Sequence, residues 1–187
     1  MDYLRWGVLG ASKFALEHLT PAIQLARNNS FKALASSSKV KAAAFAQLEP
    51  EIEVFGDYNE LLEDDRVDAV YIPLPNTMHI DWTIRAIKSG KHVLCEKPIA
   101  MRAQEINELI KLRTDTGLLV AEAYMIVHHP QWQKAKQIVD SGVLGELTQV
   151  DSIFSYNNKM DVENIRNNAD MGGGGLPDIG VYTLGSV

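Results

Sequence analysis

"YLRWGVLGASKFA" (residues 3–15) is the stretch that decides the fold prediction. Its first seven residues are predicted to form a strand, and a helical pattern follows the glycine. Measured against the phosphate-binding pattern G-x-G-x-x-G, the turn between them carries Gly10, Ser12 and Ala15, so only the first glycine is kept. The position of the turn, directly after a first strand and before a first helix, favours a dinucleotide phosphate site. The alternative is a plain strand–helix turn.

The residues of this turn have separate predicted roles. Gly10 supplies the tight turn, and Ala15 lets the helix pack close to the strand. Ser12 stands where the backbone must approach a pyrophosphate, and its hydroxyl is a candidate phosphate ligand. The free N–H groups and positive potential of a helix N-terminus favour an anion here. The candidate cofactor-binding residues of the turn are Gly10, Ala11, Ser12, Phe14 and Ala15.

Outward from this turn, strand-like and helix-like segments alternate along the chain. Strands are predicted over residues 3–9, 31–35, 51–56, 67–74, 91–96 and 118–124. Helices are predicted over residues 13–29, with a kink at Pro21, and over 39–48, 58–64, 77–90 and 102–117. Repeated units of this length predict an α/β fold, a doubly wound parallel sheet with helices on both faces. No G-x-S-x-G elbow follows any strand, which argues against an α/β-hydrolase sheet.

The pattern changes after about residue 122, where a domain boundary is predicted. A helix and turn (128–145), a long strand (146–157) and a polar, mobile loop (158–170) are expected next, followed by a glycine run that opens a helix (172–187). One strand cannot form a sheet alone, so this second region looks unfinished. It either needs another chain or belongs to a longer protein.

Composition narrows the function classes. The 187 residues are 46% hydrophobic and 22% charged, as in a globular protein. The formal net charge of −6 argues against a nucleic-acid partner. No run approaches the roughly 18 apolar residues of a membrane span, and no signal segment is recognised, so a cytoplasmic protein is expected. Cys95 is expected to be a buried structural thiol, and no metal site is predicted because no Cys/His cluster has ligand spacing.

The end of the second strand bears on the choice of cofactor. In sites for NAD an acidic residue near this point holds the ribose 2′-hydroxyl, but "ALASSSKVK" (33–41) has none. It offers instead three hydroxyls and two cations: Ser36, Ser37, Ser38, Lys39 and Lys41. These groups suit a 2′-phosphate, so NADP(H) is the predicted preference, with NAD(H) possible. Alternatively Ser38 caps the following helix, and both interpretations can hold together.

A charged pair ends the fifth strand in "HVLCEKPIA" (92–100). Ligands of a doubly wound sheet lie beyond the carboxyl ends of its strands, where Glu96 and Lys97 stand. Pro98 restricts Lys97 to extended conformations and permits a cis 97–98 bond, which orients the lysine. A partly buried lysine in such a cleft can polarise a substrate oxygen or relay its proton. The alternative is a surface ion pair at a strand end.

Three motifs together resemble the Gfo/Idh/MocA oxidoreductases: "PLPNTMH" (73–79), "GKHVLCEKP" (90–98) and "GGGGLPDIGVY" (172–182). The stretches 5–12 and 122–132 are most similar to the branch with trans-dihydrodiol dehydrogenases, NADP-linked xylose dehydrogenases and anhydrofructose reductases. The resemblance implies a dinucleotide-binding Rossmann domain over residues 1–122. It also implies that residues 123–187 are the incomplete N-terminal part of an α+β substrate and dimerisation domain with an open antiparallel sheet.

The resemblance implies that Lys97 is the catalytic-site lysine and that Asp178 and Tyr182 complete the polar set. Pro177 fits the first turn of a helix, which places Asp178 and Tyr182 at i and i+4 on one face. A tyrosine hydroxyl beside a lysine ammonium can exchange a proton with a substrate alcohol while hydride moves to or from a nicotinamide. The alternative for Tyr182 is ordinary helix packing.

The resemblance also implies that the loop after the fourth strand borders the dinucleotide. Leu74, Asn76 and His79 are therefore candidate cofactor contacts, although His79 alternatively caps the next helix. Glu96 is expected to face the nicotinamide end through its backbone or side chain. Val127 stands where related chains often have an arginine, so the substrate contact of that arginine is not carried over.

These observations predict an NAD(P)-dependent dehydrogenase or reductase, NADP preferred, acting on a CH–OH or carbonyl group of a sugar-like or cyclic-diol substrate. The full-length protein is expected to be a homo-oligomer, because relatives continue into the sheet that builds their dimer. Two other functions stay open: a non-catalytic dinucleotide-binding regulator and a redox-assisted glycosidase. A natural short form is the alternative to a part of a longer protein.

Overall fold

A computed structural model describes residues 3–162 and 164–185. The chain divides into two compact units, Met1–Glu122 and Ala123–Val187. Parts of two sequence predictions, residue 163 of the polar loop and residues 186–187 of the final helix, lie outside the described residues.

The described residues form one six-stranded sheet. Its strands are β1 (Leu4–Leu9), β2 (Asn29–Ala35), β3 (Glu53–Phe55), β4 (Ala69–Ile72), β5 (His92–Glu96) and β6 (Val120–Ala123). Their spatial order is β3-β2-β1-β4-β5-β6, and the registered pairs are parallel. This order reverses between β1 and β4, which is where doubly wound sheets bind dinucleotides. The predicted parallel α/β sheet is confirmed.

The helices follow the predicted alternation. The first unit contains a π-helical turn (Ala15–Leu19), α1 (Thr20–Leu25), α2 (Lys39–Leu48), α3 (Tyr58–Glu63), α4 (His79–Lys88) and α5 (Glu105–Thr116). The second unit contains α6 (Pro130–Asp140), a π-helical turn (Leu176–Gly180) and α7 (Val181–Gly185). Short 3-10 turns lie at Asn76–Met78, Met125–His128, Ile165–Asn167 and Ala169–Met171. Within the described ranges, no helix is both long and apolar enough to cross a membrane.

The irregularity expected at Pro21 takes the form of a wider turn just before it. The Thr20 N–H donates to the carbonyl of Ala15, five residues back. A proline ring clashes with the carbonyl four residues earlier in a regular α-helix, and the wider turn accommodates that ring. The helix then ends at Leu25, earlier than predicted, because Ala26 is already extended.

The strand predicted for the second unit is wrong. Residues 146–157 form no strand, since no described strand pairs with them and ladder hydrogen bonds define a strand. Their apolar side chains stay exposed, Ile153 by 92%. The polar segment after them is a loop with two short 3-10 turns, at the starts of which Asn164 and Asn168 accept backbone N–H groups.

The core lies where β4 and β5 meet the helices, and β4 is buried along its whole length. Its tightly packed cluster includes Leu9, Leu61, Val70, Ile72, Ile87 and Cys95. Burial raises the pKa of the Cys95 thiol, so the thiol stays protonated. The prediction of an inert structural cysteine is confirmed.

A bidentate ion pair joins the starts of β1 and β4. Asp68 accepts the Arg5 backbone N–H at 2.9 Å, Nε at 2.8 Å and Nη2 at 2.6 Å. The Arg5 side-chain hydrogen bonds lower the pKa of the Asp68 carboxyl from its usual 3.8. The pair therefore stabilises the fold fully above about pH 3.8, and that contribution is lost as the pH falls through the lower folded-state pKa.

Asp68→Asn is expected to lower the free energy of unfolding by about 1–2 kcal/mol at pH 7, because the amide loses the charge-assisted contacts to the guanidinium. Urea unfolding at several pH values measures this. The difference between variant and parent should shrink below pH 3.8. A difference that stayed constant down to full protonation would contradict the assignment. Asp115→Asn, in an exposed ion pair of α5, is the matched control.

Candidate functional site

Only glycine fits without strain at position 10 of this turn. The φ of Gly10 is +104°, a region that side chains rarely adopt. A Cβ built on Gly10 would lie 2.8 Å from Cδ2 of Leu74. The Gly10 N–H donates to the Ala35 carbonyl at 2.9 Å, which joins the turn to the end of β2. The predicted tight turn thus sits at the carboxyl edge of the sheet, between the ends of β2 and β4.

Ser12 caps the helix that follows the turn. Its Oγ accepts the Ala15 N–H at 3.0 Å, and its carbonyl accepts the Leu16 N–H at 3.1 Å. The hydroxyl proton remains available for donation, because Oγ accepts the Ala15 N–H with a lone pair. Ala15 is fully buried, as close packing of helix on sheet requires, whereas Ala11 is half-buried and Phe14 is exposed.

The segment after β2 is organised by its serines. Ser36 is buried, and its Oγ accepts the Ser38 N–H at 3.2 Å. Ser38 is the N-cap of α2, and its Oγ accepts the Lys41 N–H at 3.3 Å. The predicted helix cap is confirmed. Ser37 and the side chains of Lys39 and Lys41 are exposed beside it, and no acid stands at the end of β2.

Lys97 follows β5 directly and is half-buried. The Lys97–Pro98 peptide bond is cis, as the sequence permitted. The Lys97 N–H donates to Oε2 of Glu96 at 3.2 Å, while the Tyr71 hydroxyl donates to Oε1 at 2.5 Å. Burial, and then the charge of Glu96, raise the pKa of the Tyr71 hydroxyl, which keeps it a donor. The Glu96 carboxylate is thus held by two hydrogen bonds, one from β4 and one from the neighbouring backbone.

His79 does not occupy either of its predicted roles. The ring is fully buried, with Nδ1 2.7 Å from the Pro98 carbonyl oxygen and Nε2 2.7 Å from that of Leu74. No ring nitrogen is left for a cofactor. No cap is formed either, since α4 begins at His79 after an N-cap, Met78, that makes no side-chain cap bond. Two other candidates belong to this loop: Asn76 is half-buried in a 3-10 turn, and Leu74 is buried with its side chain against Gly10.

In the second unit, Asp178 lies in a polar cluster that sequence reasoning missed. Its Oδ1 accepts the Arg166 Nε–H at 2.9 Å, and its Oδ2 accepts the Tyr156 hydroxyl at 2.5 Å. This hydrogen bond raises the pKa of Tyr156, and the Asp178 side chain is only 12% exposed. No motif marked Arg166 or Tyr156, because both stand in segments predicted as a loop and a strand.

Tyr182 lies in an aromatic cluster of the same unit. Its ring stacks on that of Tyr124 with centroids 5.6 Å apart and meets Phe154 at 5.6 Å in a tilted arrangement. The Tyr124 hydroxyl donates to the Val181 carbonyl at 2.9 Å. Tyr182 is therefore half-buried by its neighbours, as the packing alternative expected.

Gly173 explains why the glycine run is needed. A Cβ there would lie 2.5–2.7 Å from the carbonyl oxygens of Ile165, Arg166 and Asn168. Its N–H donates to the Asn168 carbonyl at 2.9 Å, so the run packs on the turn that carries Arg166. The helix then begins with a π-helical turn that contains Pro177 near its start, as predicted.

The described residues contain no cluster of side chains suited to a metal ion. Over residues 3–162 and 164–185, no set of three or more His, Cys, Asp or Glu side chains is placed to hold a metal ion.

Two domain families match the chain. Residues 4–124 match the Gfo/Idh/MocA oxidoreductase family with its NAD-binding Rossmann fold. This chain belongs to the Gfo/Idh/MocA family. Residues 132–187 match the C-terminal domain of Gfo/Idh/MocA proteins. The membership predicted from the three motifs is confirmed.

Similar Gfo/Idh/MocA proteins include sugar reductases and dehydrogenases. A dTDP-3,4-didehydro-2,6-dideoxy-alpha-D-glucose 3-reductase of Streptomyces violaceoruber is 41% identical over 97% of this chain and 52% of its own length. A D-xylose 1-dehydrogenase (NADP(+)) of Haloferax volcanii is 36% identical over 97% of this chain and 55% of its own length. The chain therefore spans about half the length of the curated relatives it matches.

A solved Gfo/Idh/MocA structure supports the same fold. The 3-ketoreductase from Actinomadura kijaniata, in complex with NADP and TDP-benzene, superposes with a TM-score of 0.90 at 38% identity. The match covers 97% of this chain and 55% of that one. The xylose dehydrogenases were anticipated by the sequence resemblance, whereas the reductases of nucleotide-linked keto sugars were not.

Proposed function

We propose that the whole protein is an NADP(H)-dependent oxidoreductase that interconverts a carbonyl and a CH–OH group on a sugar-like or cyclic-diol substrate. One observation carries the proposal: the Gly10 turn follows β1 and Lys97 follows β5, so both lie at the carboxyl edge of one parallel sheet, with β4 between the two strands. In this fold that edge is where a dinucleotide and its substrate meet. The homo-oligomeric state and cytoplasmic location expected from the sequence belong to the same proposal.

The described residues fit a dinucleotide. Gly10 has no side chain, so the backbone of the turn can approach a pyrophosphate closely, and the Ser12 hydroxyl keeps a proton to donate to a phosphate oxygen. The exposed Ser37, Lys39 and Lys41 suit a 2′-phosphate better than a bare ribose hydroxyl, since they are donors and cations. An NADP complex of a similar ketoreductase and the D-xylose 1-dehydrogenase (NADP(+)) support the same preference.

Lys97, Asp178 and Tyr182 are the proposed catalytic residues. Bound NADP(H) supplies or accepts the hydride. Nζ of Lys97 polarises the substrate oxygen, and Oη of Tyr182 passes its proton to that oxygen during reduction and takes it back during oxidation. Asp178 orients substrate hydroxyls, while Arg166 and Tyr156 hold its carboxylate in place.

The first unit is proposed to bind the dinucleotide and the second to begin the substrate domain. The most informative substrate panel follows the similar proteins: a nucleotide-linked 3-keto sugar, D-xylose and a cyclic trans-diol. Loss of NADPH absorbance with the keto sugar, or gain of NADPH absorbance from NADP+ with D-xylose or the diol, supports the enzyme. Tight NADPH binding without any turnover would favour a dinucleotide-binding regulator. Sugar release from a glycoside with no net absorbance change would favour the redox-assisted glycosidase.

NADPH is expected to bind at least about 10-fold more tightly than NADH, because each charge-assisted contact to the 2′-phosphate contributes on the order of 1.5–3 kcal/mol. Fluorescence titration at low salt measures both affinities. Lys39→Ala combined with Lys41→Ala should weaken NADPH binding by about 10-fold and leave NADH binding unchanged. Lys88→Ala, an exposed lysine on α4, is the matched control. Equal affinities for the two cofactors would contradict the assignment.

A further inference from the structure

Side chains hold three backbone groups directly after β5, and two of these side chains come from distant parts of the first unit. The Lys97 N–H donates to Glu96 at 3.2 Å, and the Pro98 carbonyl lies 2.7 Å from Nδ1 of His79. The Ile99 N–H donates to Oε1 of Glu122 at 2.7 Å. We infer that His79 and Glu122 are positioning residues, which set where the side chain of Lys97 enters the active site. The inference rests on the catalytic role proposed for Lys97.

His79 links this loop to the glycine turn. Its Nε2 lies 2.7 Å from the carbonyl oxygen of Leu74, and the side chain of Leu74 packs on Gly10. Carbonyl oxygens only accept, so a ring nitrogen that carries a proton donates it to the carbonyl that it faces. One fully buried ring thereby joins the loop that carries the catalytic lysine to the residue beneath the dinucleotide turn.

Glu122, at the protein surface, holds the backbone on the C-terminal side of Pro98. It stands in β6 and is exposed, yet its carboxylate accepts the Ile99 N–H at 2.7 Å. An exposed carboxylate adds little to the core, so its replacement is expected to leave the fold intact. Its effect is local, because it fixes the backbone two residues after Lys97.

The backbone on the N-terminal side of Pro98 is held by residues of β4 and β5. The buried Tyr71 hydroxyl donates to Glu96 at 2.5 Å, and Glu96 in turn accepts the Lys97 N–H. The backbone is therefore held both before and after the lysine. Precise placement matters, since displacing a catalytic group by about 1 Å can cost on the order of 100-fold in rate.

Glu122→Ala and Glu122→Gln are the decisive pair. The alanine variant is expected to lower kcat by about 10- to 100-fold, while the Kd for NADPH changes less than about twofold. The glutamine variant retains an oxygen acceptor for the Ile99 N–H, so its kcat should return to within about threefold of the parent. Glu108→Ala, an exposed carboxylate on α5, should leave kcat unchanged.

Amide hydrogen exchange gives a second readout that does not depend on turnover. The Ile99 amide should exchange at least about 10-fold faster in Glu122→Ala, and at the parental rate in Glu122→Gln. His79→Gln, which keeps one donor group, should lose less kcat than His79→Leu when both melt within a few degrees of the parent. If His79→Leu fails to fold, the Glu122 pair still decides.

The outcomes separate the two proposals. An unchanged kcat or unchanged Ile99 exchange in Glu122→Ala would overturn the positioning role, even with Lys97→Met inactive. A glutamine variant as impaired as the alanine variant would also overturn it, because charge rather than the hydrogen bond would then matter. Absence of turnover in the parent protein would refute the proposed function. In that case, faster exchange of the Ile99 amide in Glu122→Ala would still show that Glu122 holds the loop.

Discussion

Replacing Lys97 by methionine is expected to lower kcat by about 10²- to 10⁴-fold, the range for loss of a positioned acid–base group. Methionine approximates the length of the lysine stem but offers no charge and no proton. The backbone contact of Lys97 to Glu96 does not involve the side chain, so the loop should persist. The Kd for NADPH should therefore change only a few-fold. Stopped-flow absorbance and fluorescence titration measure the two quantities.

Lys88→Met provides the control for Lys97→Met, because it removes an exposed lysine from α4. That variant should retain parental kcat and Kd. A Lys97→Met protein with full activity would remove Lys97 from the mechanism. A variant that lost NADPH binding to the same degree as turnover would make Lys97 a cofactor-binding residue instead.

Replacing Gly10 by alanine is expected to weaken dinucleotide binding by at least about 10-fold and to lower the free energy of unfolding by about 1–3 kcal/mol. Two causes act together. A residue with a side chain is strained at φ +104°, and its Cβ would meet Leu74 at 2.8 Å. A change of φ at residue 10 or a shift away from Leu74 would relieve the strain. Each would move the turn that is proposed to face the pyrophosphate. Thermal melts and NADPH titration of the same samples measure both effects.

Gly56→Ala is the matched control for Gly10→Ala, since a Cβ at Gly56 meets no atom within 4 Å. Combining Gly10→Ala with Leu74→Ala separates the two causes. The double variant should regain part of the binding if the contact with Leu74 dominates, and none if backbone strain dominates. Parental affinity in Gly10→Ala itself would contradict the proposed role of the turn.

Much of the first unit was predictable because its signals are local. Apolar runs, helical periodicity and the glycine after the first strand act over a few residues, and they predicted the parallel sheet and the Gly10 turn. The helix cap at Ser38 and the cis bond before Pro98 also follow from neighbouring residues. Pro21 predicted a helix irregularity, although its form, a wider turn, depended on hydrogen bonding that the pattern does not reveal.

The second unit was less predictable. Partial alternation over residues 146–157 is compatible with a strand, but pairing with another strand decides whether one forms. The polar loop was judged by composition, which says nothing of the Arg166 contact to Asp178. The glycine run was read only as the start of a helix, whereas the structure requires glycine at Gly173, because a Cβ there would lie 2.5–2.7 Å from three carbonyl oxygens.

The sequence by itself determined the α/β fold class, the place of the dinucleotide turn and the identity of Lys97 as the candidate catalytic lysine. Only the tertiary structure decided the partners that hold these groups. His79 reaches Pro98 across 19 residues, Glu122 reaches Ile99 across 23, and Tyr156 reaches Asp178 across 22. Periodicity and turn chemistry describe neighbours along the chain. A hydrogen bond between residues this far apart exists only after packing has brought their backbones together.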